Sequence, residues 1–263
     1  MITFTIQKPK EVVFEIKNVD LGADAFNRGY EEGEKAGYNT GYEIGAKEGA
    51  EVGYNRGKQE EYDRFWDAHQ NFGNKKNYSY AFSGSGWTDE TFKPKYNIVP
   101  TTMGYMFTQC GIVDLVDCLE RCGVILDTSQ CASFGWMMSD ECKIKHFPTI
   151  DLSASAGFVD GFRYAGNLES GSLVNVKPTH TWSNAFANCS SLVDITFSGT
   201  IGKTISFAQS GKLSDASIQS IIEALADLTG ETAQTLTFHK DVGGRLTQAQ
   251  KDTISAKNWT LVY

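Results

Sequence analysis

The sequence predicts an α+β protein assembled in series: a short N-terminal β-hairpin, a long helix with glycine at every fourth position, and a short, irregular solenoid with an α/β C-terminal cap. Three observations carry this reading. Glycine holds a strict four-residue register from Gly29 to Gly57. An imperfect repeat with strand-forming ends follows it. The residues after 210 then read helix, strand, helix, strand.

Composition narrows the function classes. The chain has 263 residues, of which 41% are hydrophobic, enough for a sizeable core and against general disorder. Its net charge of -8 leaves no basic footprint, so nucleic acid and anionic membranes are not expected partners. No apolar run reaches the roughly 20 residues that a spanning helix needs, so no membrane insertion is expected.

Residues 1–21 form the N-terminal β element, expected to serve for attachment. "ITFTIQ" and "VVFEIK" alternate apolar and polar residues around a turn at Lys8, Pro9 and Lys10. This is a strand pattern rather than a secretory signal. The chain is therefore expected to be made in the cytoplasm and to stay there or to leave by a route such as lysis.

Residues 22–68 form the oligomerisation helix, with Asp24 as its cap and no proline between Ala25 and Ala68. If continuous, that stretch is about 65 Å long. Its glycines are Gly29, Gly33, Gly37, Gly41, Gly45, Gly49, Gly53 and Gly57. Each costs roughly 0.8–1 kcal/mol relative to alanine in a helix, about 7 kcal/mol for the set. Close packing against a partner must offset that cost, and small-xxx-small spacing is what permits close backbone approach. Tyr30, Tyr38, Tyr42 and Tyr54 each follow a glycine and can lay their rings over a neighbour's bare backbone. The stripe advances about 40° per repeat, the sense of a right-handed supercoil. A flexible linker needs no such register. No second stripe exists in the chain, so the partner is another copy: a parallel homo-oligomer, with a trimer favoured.

Residues 69–101 are an aromatic-rich connector, punctuated by Gly73, Gly84, Gly86, Pro94 and Pro100. Residues 102–210 hold the repeats. The anchors Phe107, Met138, Phe162 and Phe186 are spaced by 31, 24 and 24 residues. Three residues on from each lie Cys110, Glu141, Ala165 and Cys189, and six on lie Val113, Ile144, Leu168 and Leu192. A large apolar knob, usually a small residue, an aliphatic residue and a strand such as "LVDITFSG" are what a stacked unit needs to bury itself against its neighbours. Residues 211–263 are the cap. Ser214 is the N-cap of a helix with Ile218, Ile221, Ile222, Leu225 and Leu228 on one face, and "TQAQKDTISAK" is a second helix between the strands "TLTFH" and "WTLVY".

These residues carry a resemblance. "WSNAFANCSSLVDITFSGTIG" resembles a unit of the BspA-like leucine-rich-repeat family at Phe186, Cys189, Leu192 and Ile195. The cap resembles the terminal cap of such proteins from gut Firmicutes. "AFSGSGWTDETFKPKYNI" is similar to the segment preceding the repeats in phage and prophage tail-associated members. The resemblance covers about residues 62–263 and not the glycine stalk. It implies a leucine-rich-repeat-like solenoid used for surface display and ligand binding, with no catalytic residue to carry over.

The remaining candidates are weighed on their chemistry. The six cysteines, Cys110, Cys118, Cys122, Cys131, Cys142 and Cys189, are expected as free, buried thiols. Cys118, Cys122, Cys142 and His146 have spacings met in zinc sites, but "DLVDCLERCG" reads as a short helix closed by Gly123. No metal and no cofactor are expected. His69, His146, His180 and His239 are scattered without a paired nucleophile. Asp151 near His146, and Asp194 near Ser190 and Ser191, read as solvated surface groups. "GTIGKT" lacks the glycine spacing of a phosphate loop. The expectation is a non-enzymatic, virion-borne, tail-fibre-like receptor-binding protein. Its N-terminus would meet other tail or virion proteins, and its repeats a host cell-surface protein or glycan. The alternatives are a bacterial BspA-like surface adhesin or host-interaction protein, and an intracellular protein-binding scaffold. Receptor contact is expected at Trp136, Tyr164 and Trp182, because aromatic side chains dominate recognition surfaces.

Overall fold

The computed structural model describes residues 77–139 and 141–263, together with Glu60. Glu60 apart, these belong to one of the chain's two compact units, Phe65–Tyr263. The N-terminal β element, the glycine stripe from Gly29 to Gly57 with Tyr30, Tyr38, Tyr42 and Tyr54, and residues 69–76 of the connector lie outside the described residues.

One tight turn recurs along the chain, opening at Tyr78, Met103, Phe134, Phe158 and Trp182. Each closes on itself through an i+3 bond: Ala81 N–H to Tyr78 O, Met106 to Met103, Met137 to Phe134, Gly161 to Phe158, and Ala185 to Trp182. The first four then donate outward to the next turn. Tyr80 N–H reaches Gly104 O at 2.9 Å, Phe107 N–H reaches Met137 O at 2.8 Å, Trp136 N–H reaches Asp160 O at 2.9 Å, and Phe162 N–H reaches Ala185 O at 2.9 Å. Backbone groups that a lone turn would leave unmet are thus paired between turns.

The side chains just inside the turns form an aromatic spine. Ring centroids run Phe82–Phe107 at 5.3 Å, Phe107–Phe147 and Phe147–Phe162 at 5.7 Å, Phe162–Phe186 at 6.0 Å, Phe186–Phe207 at 4.6 Å and Phe207–Phe238 at 6.1 Å. All seven rings are buried. Burying one such ring contributes about 1.5–3 kcal/mol, and each ring pair adds about 0.5–1.5 kcal/mol.

The anchors Phe107, Met138, Phe162 and Phe186 are all in this core, but two other positions of the sequence pattern slip by one residue. Glu141 is exposed at φ 57°, and the buried small residue of its unit is Cys142. Ile112, not Val113, is the buried aliphatic residue of the first unit. In both places the buried register follows the apolar side chain rather than a fixed offset. Phe82 also occupies the anchor place of a turn, in the segment read as connector.

Strands lie beyond the turns. β1 (Ile150–Asp151), β2 (Ser170–Val176) and β3 (Asp194–Gly199) form a parallel sheet in that order, with Ile150 beside Leu173 and Leu173 beside Phe197. Single parallel bridges such as Asn77 with Thr102 and Thr102 with Ser133 extend the same pattern towards the N-terminus. A helix, α1 (Leu115–Cys122), interrupts the first unit. The Asp114 side chain accepts from Asp117 N–H at its start, and Gly123 ends it at φ 64°.

A second parallel sheet joins β4 (Ile205–Phe207), β5 (Gln234–Phe238) and β6 (Trp259–Val262). Helix α2 (Asp215–Ala224), the one-turn α3 (Lys240–Gly243) and α4 (Gln248–Ala256) fill the connections. Ser214 caps α2 as expected, and Thr247 with Gln250 forms a capping box on α4. Helix α2 also serves the first sheet. Its Ser217 and Ser220 hydroxyls accept from Ile195 N–H at 2.8 Å and Phe197 N–H at 3.0 Å, so the outer edge of β3 bonds to a helix rather than to another strand.

Candidate recognition surface

The recurring turn requires left-handed backbone at its third residue, and that requirement isolates a row of unusual side chains. In the later turns the position is held by Asp160 and Asn184, both at φ 52°. A second left-handed position four residues on is held by Gly84, Gln109 and Asn188. Asn, Asp and Gly visit this region at low cost, whereas a bulky side chain there costs about 1–2 kcal/mol. Yet Tyr80, Tyr105 and Trp136 hold the third position at φ 62°, 56° and 60°, and Tyr164 holds the later one at 62°. The backbone accepts cheaper residues at these places, so something other than the turn favours aromatic rings.

These four rings form a single row. Tyr80 stacks on Tyr105 with centroids 4.8 Å apart and planes within 4°, Tyr105 on Trp136 at 6.1 Å and 6°, and Trp136 on Tyr164 at 5.9 Å and 30°. The ends are open: Tyr80 is 61% exposed and Tyr164 42%. Tyr105 and Trp136 are half-buried between them. The Arg163 guanidinium lies 4.2 Å from the centroid of Trp136 and 5.1 Å from that of Tyr164. Its Nη1 pairs with Asp160 Oδ1 at 3.0 Å, and the same oxygen accepts from Asn184 Nδ2 at 3.2 Å. Bonds first to Tyr164 and then to Asp160 push the Arg163 pKa up. Stacking and cation–π contact contribute about 0.5–1.5 kcal/mol per contact, which offsets the backbone strain while leaving the rings at the surface.

Of the three aromatic residues singled out in the sequence, Trp136 and Tyr164 are neighbours in this row and Trp182 is not. Trp182 is 3% exposed and packs edge-on to Phe197 at 5.7 Å and against His180 at 6.4 Å. As the first residue of its turn, it points inward with Phe134 and Phe158. Tyr80, Tyr105 and Arg163 were missed. A signal for two of them was present: Tyr80, Tyr105 and Trp136 each stand two residues before the anchor-place side chains Phe82, Phe107 and Met138.

The other candidates stand apart. Cys110, Cys118, Cys131, Cys142 and Cys189 are buried and Cys122 is partly so. Burial pushes the Cys131, Cys142 and Cys189 thiols up to about 12. Among the described residues no three His, Cys, Asp or Glu side chains gather as metal ligands. His146 Nδ1 lies 2.8 Å from Ser170 Oγ, and His239 caps α3. Burial pushes the Asp151 carboxyl up, but bonds from Ser153 and Asn175 prevail and hold it below the usual range. Asp194 accepts from Ser214 rather than meeting Ser190 or Ser191. No helix among the described residues is long and apolar enough to cross a membrane.

No known family profile, curated protein or solved structure matches the chain.

Proposed function

We propose that the chain is a non-enzymatic receptor-binding protein of the phage or prophage tail-fibre kind, carried on the virion. In this reading residues 102–210 are a BspA-like leucine-rich-repeat solenoid that presents a binding face. The stripe from Gly29 to Gly57 joins copies into a homo-oligomer, and residues 1–21 attach to other tail proteins. The observation that carries it is the surface row Tyr80–Tyr105–Trp136–Tyr164, built from residues that the backbone itself disfavours. Strain of this kind concentrates at ligand-binding positions. Repetition of the head multiplies a weak contact into stable attachment.

The test is adsorption of the labelled full chain to intact cells of a panel of gut Firmicutes, read by flow cytometry. The comparison protein carries Tyr105→Asn and Trp136→Asn, since asparagine keeps the left-handed backbone. At least one strain should retain the wild type. Removing two central aromatic contacts costs at least about 2 kcal/mol, roughly a 30-fold loss of affinity. Retention by no strain, or equal retention of both proteins, rejects the reading.

A further inference from the structure

We infer that the aromatic row is a glycan site, and that its ligand is an extended, uncharged polysaccharide lying along the turns. This rests on the receptor-binding reading and narrows it to one ligand chemistry.

Charge is the first argument. Among the described residues the cation stacked on the row, Arg163, is closed by Asp160 at 3.0 Å and lies against two rings, so it offers no free charge to an anionic polymer. The second argument concerns the backbone. A peptide added as a strand needs open N–H and C=O groups, but the N–H groups of the row are spent between turns: Tyr80 on Gly104, Tyr105 on Gly135, Trp136 on Asp160 and Tyr164 on Ala187. What remains outward is side chain.

Those side chains suit sugars. The row ends on two exposed rings, Tyr80 at 61% and Tyr164 at 42%, and Tyr80, stacked on one side by Tyr105, can offer a ring face to the C–H face of a pyranose. Polar partners for sugar hydroxyls flank both ends. Asp160, Arg163 and Asn184 lie at one end. At the other, Asn77 Oδ1 accepts from Thr102 Oγ1 at 2.7 Å, and the Ser79 and Thr102 hydroxyls meet at 3.0 Å. Apolar faces with a few fixed polar groups define ligand sites in general. The rings recur at steps of 4.8, 6.1 and 5.9 Å, so an extended chain lying along them meets one ring after another.

The experiment presents the full chain with three immobilised polymers: neutral hexose polysaccharides, poly(glycerol phosphate) and proline-rich peptide. In parallel, cells that retain the protein are treated with periodate, which cleaves vicinal diols, or with protease. A neutral polysaccharide should bind equally at low and high salt. The variant with Tyr80→Asn and Tyr164→Asn should bind at least tenfold more weakly, and periodate but not protease should strip cells of binding. The free neutral polysaccharide should compete the wild type off, a readout that needs no variant to fold. Binding to poly(glycerol phosphate) or peptide alone overturns the inference, as does binding lost to protease and kept after periodate. Cell binding would then still uphold the receptor-binding reading. Retention by no cell type and no polymer would sink both.

Discussion

Left-handed backbone at a fixed place in each turn sets a choice that the chain resolves residue by residue. Asn184 and Asn188 take the inexpensive option, while Tyr80, Tyr105, Trp136 and Tyr164 do not. Trp182 shows the opposite environment. It is buried with His180, and neither Trp182 Nε1 nor His180 Nε2 has a hydrogen-bond partner among the described residues. An unmet buried N–H costs about 1–3 kcal/mol. Trp182→Phe, which keeps a ring and deletes the N–H, should therefore be near neutral in urea unfolding, whereas Trp182→Ala should cost about 3–5 kcal/mol. Equal losses would show that the indole N–H matters more than its ring. His180 adds a pH dependence. Burial, then nearby Lys177, pushes its pKa below the ordinary 6.5. The folded state thus favours the neutral ring, so stability is full above about pH 6.5 and declines as the pH falls through the lower folded value. His180→Phe should flatten the unfolding free energy between about pH 7 and pH 5. Thiols give a further check. A thiol reagent should modify Cys122 at once and the five buried cysteines only on unfolding, and EDTA should leave the melt unchanged.

Elements with local signals were legible and those set by distant contacts were not. Ser214 and Gly123 are written in short stretches, α2 begins and α1 ends at them, and "TQAQKDTISAK" becomes α4. The strands of the cap were equally plain, because "TLTF" and "WTLV" are β-prone between helices. Phe82 was not placed among the anchors, since its irregular surroundings of glycine and proline hide a turn that becomes evident only when Phe82 N–H meets Met106 O at 2.9 Å. The aromatic row was half legible: composition marks Trp136 and Tyr164 as candidates, but only the pairing of turns brings Tyr80 and Tyr105 beside them. The serines of α2 were invisible, because serine in a helix ordinarily signals nothing. Their role yields a prediction at this scale. Ser217→Ala should leave Ile195 N–H buried without its acceptor and cost about 1–3 kcal/mol, while Ser217→Thr, which keeps a hydroxyl, should recover part of the loss. Chemical denaturation of the two variants reads the difference.

For the whole molecule, the proposed oligomerisation has most bearing on the proposed function, and it rests on sequence alone. Replacing Gly41 and Gly45 with Leu raises helix propensity and adds bulk to the stripe. Light scattering should report an oligomer for the wild type, a trimer in the favoured case, and a monomer for the double variant. A monomeric wild type, or an unchanged variant, would leave the stripe without its proposed purpose. The described unit should meanwhile keep its melting behaviour in both proteins, since its spine from Phe82 to Phe238 is internal.

The serine hydroxyls that meet β3 also bear on how such a protein changes over generations. Phe134, Phe158 and Trp182 open turns 24 residues apart, so duplicating or deleting one such unit upstream of β3 preserves phase and renews every bond between turns. An insertion beyond β3 would meet Ser217 and Ser220 instead of an open strand edge, and would find no template. Length can therefore be gained or lost upstream of β3, whereas the outer edge of β3 is sealed. Descendants can vary the number of turns, and with it the surface they present, without redesigning the cap.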